Sequence, residues 1–313
     1  MLGILQGITE FLPVSSSGHL ALARALLARE LMPGITFEIV VHFGSFCSIV
    51  VYFRARIAEI IRDLFASFRP KGIKSGRYLH DENTRYSMII LLSMIPAMIV
   101  GFTLKDPIEE LFLNPVVVSC MLLVTGTLLF STRFVKNPQK KVDAKRGLLM
   151  GIAQSLAIIP GISRSGSTIS VGLFSGMNRD SVANFSFLMV LPVLAGAMLL
   201  ELLEIFEHGI EYAAVVALVV GFFASFLSGY FALKYLIILL KREISLLLVL
   251  LLGGRSCRVN LFYLSLLPNK KANAVQKGRS IAVMLSIPSY RTPIRYLLPI
   301  STDRIRRPAE SAG

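Results

Sequence analysis

Charge is scarce in this 313-residue chain. Asp, Glu, Lys and Arg together make up 17% of it, against about 25% in ordinary soluble domains. Mean hydropathy is +0.67 and 54% of residues are hydrophobic. An ordinary water-soluble domain is thereby excluded, and the chain falls among membrane proteins. Cysteine is scarce too. Cys47, Cys120 and Cys257 are widely spaced and two lie in apolar runs. That excludes a disulfide framework or a Cys/His metal set and leaves free thiols acting as small hydrophobes. No Walker spacing occurs, so a P-loop is excluded. No small-residue cleavage site precedes the polar residues that start at Gln6, so no separate signal peptide is expected.

Acid is scarcer than base, and the net charge is +14. In a soluble protein this would suggest nucleic acid. Here residues 254–313 hold eleven Lys/Arg and two Asp/Glu. Most of the remaining excess sits in two connections between apolar runs, where it reports topology and not a nucleic-acid partner.

Against this greasy background, Gln6 to His19 (QGITEFLPVSSSGH) concentrates a carboxylate, three serine hydroxyls, two glycines and an imidazole. The segment has an echo. Gly3, Gln6, Ser15, Ser17 and Gly18 recur 148 residues later as Gly151, Gln154, Ser163, Ser165 and Gly166, and Phe37 recurs as Phe185. Pro13 and Pro160 are 147 apart, one residue out of register. Matches in one register predict two structural repeats, about 1–133 and 147–253, each carrying half of one polar site.

Read in order, residues 1–12 form a helix too short for a bilayer, since a span needs about 20 residues. Pro13 stops it, Ser15–Gly18 turns, and His19–Leu31 forms a second short helix. Spans follow at 37–53, 86–104 and 115–132. Arg54–Arg85 is a polar connection with eight Lys/Arg. Lys105, Asp106, Glu109 and Glu110 lie in a non-basic loop, and Arg133–Arg146 is basic again. The second half repeats the order: a short helix at 147–159, a break at Pro160, a turn at Gly161–Gly166 and a short helix at Ser167–Gly176. Spans at 182–203 and 213–233 follow, separated by an acidic loop, and Lys234, Lys241 and Arg242 mark the next basic connection. Placing the basic connections in the cytoplasm gives the two halves opposite orientation. The expected fold is an all-α integral membrane protein with an inverted-topology repeat. It has two re-entrant helix pairs and about six transmembrane helices in one domain, 1–253. The last span is cut short at Ser245–Leu252, and a basic tail, 254–313, follows on the cytoplasmic side.

Gln6 and Glu10, four apart, share one face of the first short helix. A carboxylate in this setting points to function or a buried partner. The plainer reading is a Glu reaching water at the interface. Ser15, Ser16 and Ser17 precede a helix N-terminus, where free N–H groups and the dipole attract anions; capping alone needs one serine. His19 is either a satisfied buried histidine or a general base. Ser163, Ser165 and Thr168 repeat the hydroxyl pattern around Arg164. A guanidinium in an apolar region needs an anion, either phosphate oxygens or Glu10. Gly18, Gly161 and Gly166 allow close backbone approach. A carboxylate beside a phosphate calls for a divalent cation between them.

These residues resemble the undecaprenyl-diphosphate phosphatase family, the BacA-type bacitracin-resistance proteins. The resemblance rests on Gln6-Gly-Ile-Thr-Glu10, Pro13-Val-Ser-Ser-Ser-Gly-His19, Pro160-Gly-Ile-Ser-Arg-Ser-Gly-Ser-Thr168, Phe37-Glu38 and Phe185-Ser-Phe187, and covers about residues 1–245. It implies a multi-pass enzyme of the bacterial inner membrane. Such an enzyme hydrolyses a C55 isoprenoid diphosphate to the monophosphate and recycles the lipid carrier of peptidoglycan synthesis. It implies Mg²⁺ or Ca²⁺ as cofactor, held by Glu10 with Gln6. Ser16 is then a nucleophile or phosphate ligand, and His19 a general base or rival nucleophile. Arg164 acts on the diphosphate, with Ser15, Ser17, Ser163, Ser165 and Thr168 binding it. Whether Ser16, His19 or metal-bound water attacks stays open. Gln6 is neutral, which shifts metal binding toward Glu10. The residues after 253 look like unrelated sequence joined to the family. A transporter or flippase of a phosphorylated isoprenoid lipid is the rival reading, because paired broken helices also build transporter sites. A membrane scaffold with a basic tail is a third.

Overall fold

The computed structural model describes residues 1–20, 35–69, 81–112, 114–135, 138–208 and 215–241, all within one compact unit, Met1–Leu264. The distal part of the first short helix pair, the truncated span at Ser245–Leu252, the basic tail and Cys257 lie outside the described residues.

The described chain is helical. The elements are α1 (Leu2–Phe11), α2 (Ile35–Tyr52), α3 (Arg54–Phe68), α4 (Glu82–Thr103), α5 (Lys105–Phe112), α6 (Pro115–Ser131), α7 (Ala144–Leu156), α8 (Arg164–Phe174), α9 (Arg179–His208) and α10 (Val215–Lys241). Residues 16–20 are also helical. Local chemistry sets many ends. Pro13 bars its predecessor from helical geometry, and Leu12 ends α1 at φ −61°, ψ 140°. Asp81, Asn114 and Asp143 cap α4, α6 and α7 by accepting backbone N–H bonds, which satisfies otherwise orphaned donors.

Four helical segments among the described residues are long and apolar enough to cross a bilayer: Glu82–Thr103, Val116–Phe134, Arg179–Leu199 and Val215–Leu240. The fifth expected span is Phe37–Tyr52, which bends by 74° into Arg54–Phe68. Their outward faces are greasy. Val216, Val220, Phe223, Leu227 and Phe231 form an exposed stripe along α10, which suits a lipid surround. These features define a multi-pass membrane protein.

Several boundaries differ from the sequence expectation. The connection after Arg54 is not a polar loop at its start, because α3 buries Ile60, Asp63 and Ser67 on one side. Charge there conceals a helical period. The segment Lys105–Phe112 is helical as well. Helix α10 runs on to Lys241, so Lys234 lies inside it and not in a connection.

The halves exchange partners. Helix α1 packs on α10, and α7, its counterpart, packs on α4. A Cβ at Gly3 would sit 2.6 Å from the Gly221 carbonyl oxygen, and one at Gly151 would sit 2.2 Å from that of Ser93. Repeat-related glycines thus seat each short helix against a long helix of the other half, the close approach that small residues permit in membrane bundles. Phe11, Phe187, Met150, Met189 and Leu233 fill the core between them. The rings of Phe11 and Phe187 lie edge to face at 6.0 Å. Small polar contacts tie α2 to α10: Ser45 Oγ lies 2.9 Å from Ser225 Oγ, and Ser48 Oγ donates to the Phe226 carbonyl at 2.6 Å.

Candidate active site

The two broken elements present their second helices with the same capping chemistry. Ser15 Oγ accepts the Gly18 N–H at 3.2 Å, and Ser163 Oγ accepts that of Gly166 at 3.1 Å. Ser15 and Ser17 hydroxyls are 3.3 Å apart, as are those of Ser163 and Ser165. The 148-residue register therefore holds at single hydrogen bonds.

Because each serine is a cap, each helix starts earlier than the sequence suggests. Residues 16–18 are already helical, and the turn is residues 12–14. In the second half, α8 starts at Arg164 and ends at Phe174. The one-residue difference between the prolines also has a structural result. The second turn is longer and puts its positive φ on Gly161 (93°), while the first puts it on Ser15 (65°). A left-handed serine costs on the order of 1–3 kcal/mol. Gly18 is where the turns touch, since a Cβ there would lie 3.1 Å from the Gly161 Cα. Thr125 on α6 clamps the second turn, donating to the Gly161 carbonyl and accepting from the Ser163 N–H, both at 3.0 Å.

The first residues of the two helices are repeat mates, Ser16 and Arg164, and both reach one carboxylate. Ser16 Oγ donates to Glu10 Oε2 at 2.7 Å. The Arg164 guanidinium forms an ion pair with Glu10 Oε1. Glu10 is only 8% exposed, and an unpaired carboxylate so placed would be costly. Both helix N-termini carry the partial positive charge that favours an anion.

Gln6 Nε2 donates to Glu10 Oε2 at 3.0 Å and meets His42 Nδ1 at 2.9 Å. His42 Nδ1 is also 3.8 Å from Glu10 Oε2. An amide nitrogen only donates, so His42 Nδ1 is the acceptor and its proton sits on Nε2. His42 belongs to this site and was missed by the sequence reading. It is a lone histidine on an apolar helix, and its counterpart 148 residues on is Val190, so no echo marks it.

Other expected residues take supporting places. His19 Nδ1 donates to the Ser15 carbonyl at 2.8 Å, holding the strained turn. Ser165 Oγ reaches the Leu12 carbonyl at 3.4 Å and joins the two turns. Thr168 is fully buried. Its hydroxyl lies 2.9 Å from the Arg164 carbonyl and 2.6 Å from Ser186 Oγ, anchoring α8 to α9.

Among the described residues no group of three or more His, Cys, Asp or Glu could hold a metal. The oxygen donors here nevertheless fit a hard divalent cation that takes further ligands from a substrate. Gln6 Oε1 is buried without a hydrogen-bond partner, on the amide whose Nε2 donates to Glu10. Mg²⁺ sites typically combine one or two carboxylates with phosphate oxygens and water.

A buried carboxylate shared by two broken helices, inside a bundle with a lipid-suited exterior, marks a membrane protein built around one anion-handling centre. The family model of the bacitracin resistance protein BacA matches residues 1–251, and the chain belongs to that family. It is 37% identical over 243 residues to the undecaprenyl-diphosphatase of Salinibacter ruber, covering 77% of this chain and 90% of that protein. It is 40% identical over 246 residues to that of Bacteroides thetaiotaomicron, covering 77% and 89%. With the undecaprenyl-diphosphatase of Parabacteroides distasonis it shares 41% identity over 247 residues, covering 77% and 88%.

Proposed function

We infer that this chain hydrolyses undecaprenyl diphosphate to undecaprenyl phosphate and phosphate in the bacterial inner membrane. This returns the lipid carrier to cell-wall synthesis. One observation carries the reading beyond the likeness to undecaprenyl-diphosphatases. A hydroxyl and a guanidinium from opposite repeats converge on the same buried carboxylate.

The Ser16–Glu10 contact of 2.7 Å is the geometry of a nucleophile and its base. Ser16 Oγ attacks the terminal phosphorus while Glu10 takes its proton. The bond from that phosphorus to the bridging oxygen breaks, and undecaprenyl phosphate leaves with the electron pair. Glu10 passes that proton to the departing phosphate. Water then attacks the phosphoserine, and Glu10 accepts the water's proton and returns it to the Ser16 oxygen as it departs. Arg164 exchanges Glu10 for the diphosphate oxygens, which its planar fork grips in two places. The dipoles of the two helix starts favour the negative charge that develops. His42 acts through Gln6, holding the amide turned toward Glu10. His19 keeps the turn that aims Ser16. A Mg²⁺ or Ca²⁺ ion, held by Glu10 and the Gln6 amide oxygen, would neutralise diphosphate charge as a Lewis acid.

Phosphate release from an isoprenoid diphosphate by the purified chain, with and without chelator, tests this reading. Release that the chelator abolishes and Mg²⁺ or Ca²⁺ restores is expected. Chelator-insensitive release removes the metal. Movement of labelled lipid between leaflets with no release would overturn the enzyme.

A further inference from the structure

The described ends of the two basic connections and the start of α9 together enclose a cavity of about 730 Å³ that none of the residues around Glu10 lines. That lies within the roughly 300–1,000 Å³ typical of ligand pockets. Three cations from three segments line it: Arg56 on α3, Arg85 on α4 and Lys141 just before α7. Glu82 and Asp180 line it as well, so cations exceed acids by one. Lys141 and Arg85 are loosely held. Lys141 Nζ is 3.7 Å from Glu82 Oε1 in a pair exposed to solvent, an arrangement of little energetic value. Arg56 lies 5.4 Å over the Tyr86 ring and pairs with Glu59 at the surface. The Arg85 side chain is exposed and makes no hydrogen bond or ion pair among the described residues.

One wall is apolar, made by Phe53, Ile89 and Val142. The cavity also sits where the membrane surface falls. Helix α4 starts at its rim with Glu82 and continues as a span to Thr103. The excess of Lys and Arg in both connections marks this end as cytoplasmic. A ligand that suits it has a phosphate at the mouth and a hydrocarbon portion against the wall. A free anion uses only half of these features. Basic pockets between transmembrane helices on the cytoplasmic side bind anionic head groups.

We propose that this cavity binds the phosphate head group of an anionic phospholipid of the cytoplasmic leaflet. Arg56, Arg85 and Lys141 hold the phosphate, and Phe53, Ile89 and Val142 receive the start of its hydrocarbon. The bound lipid straps the two repeats together, because Asp180, Ser181 and Asn184 of the second line the cavity beside residues of the first.

The probe is phosphatidylglycerol, and the measurement is lipid retained by the purified full chain. It is read by native mass spectrometry, alongside thermal midpoints in phosphatidylcholine nanodiscs with and without phosphatidylglycerol. The wild-type chain is expected to retain phosphatidylglycerol over phosphatidylcholine and to gain thermal stability from it. Each cation removed should weaken retention about fivefold, so R56Q/R85Q/K141Q loses the preference. The single variant Arg85→Gln, at an exposed position, guards against misfolding and should show the fivefold loss alone. Equal retention of both lipids, or an undiminished preference in the triple variant, overturns the site. Inorganic phosphate that displaces the lipid and stabilises lipid-free protein equally overturns the lipid assignment. No outcome depends on hydrolysis.

Discussion

The first broken element and the second share a backbone plan and divide the chemistry. Each has a capping serine, a second serine two residues on and a glycine after that, with matching distances. Between the two serines stands the difference: Ser16 in the first, Arg164 in the second. The acid is also unequal. Glu10 has Ile158 as its repeat mate, and His42 has Val190. The first half therefore holds carboxylate, hydroxyl and imidazole, and the second contributes a cation to them. One asymmetric site arises from two alike scaffolds, because a carboxylate with a guanidinium and a hydroxyl on its oxygens is satisfied once, and a second unpaired acid would be costly in the bundle.

The largest test of that division is at Glu10 and Ser16. Glu10→Gln keeps shape and removes the base, and Ser16→Ala removes the attacking oxygen. Turnover should fall by about 10²–10⁴ in each, while Ser16→Ala still binds the isoprenoid diphosphate. A Ser16→Ala chain that turns over at the wild-type rate makes Ser16 a positioning hydroxyl and passes attack to another group. Arg164→Lys comes next. It keeps the charge and loses the fork, so kcat/KM should drop by about 10²–10³, with KM raised. Unchanged KM would show that Arg164 serves Glu10 alone.

Much of this was legible in the sequence, for physical reasons. Polar residues at bilayer depth are conspicuous, so Glu10, Ser16 and Arg164 stood out, and the repeat register tied them into one site. Pro13 and Pro160 announced the breaks. The boundaries were harder. Reading Gly161–Gly166 as a turn gave glycine more weight than the Ser163 cap, which places Arg164 at the helix start. The start of the basic connection hid α3, whose Ile57, Ile60, Ile61 and Leu64 follow a helical period among the arginines. His42 was invisible because proximity to Gln6 exists only once α1 and α2 are packed.

The glycines sharpen the comparison at the level of packing. Gly3→Ala and Gly151→Ala both push a methyl into the backbone of the opposite half. Each should destabilise by about 1–3 kcal/mol, read as a drop in thermal midpoint in detergent. Gly126→Ala is the control, since a Cβ there meets nothing within 4 Å. If Gly3→Ala and Gly151→Ala behave like Gly126→Ala, the halves do not exchange partners as described.

The smallest expected effect separates Gln6 from its repeat mate. Both are buried glutamines at the same position of the 148-residue register. Gln6 donates to Glu10 and His42. Gln154 has no hydrogen-bond partner for either amide atom, and the repeat mates of Glu10 and His42 are the apolar Ile158 and Val190. A buried amide without partners gives up its hydration and gains no bond in return. Gln154→Met, close in volume, should therefore leave turnover intact and change stability by less than about 1.5 kcal/mol, with the sign toward greater stability. Gln6→Met removes the donor that turns toward Glu10 and should lower turnover and weaken rescue by Mg²⁺ or Ca²⁺. Equal losses of turnover in the two variants would mean that the second repeat keeps a working polar site of its own, and that the chemistry is shared more evenly than the side chains around Glu10 indicate.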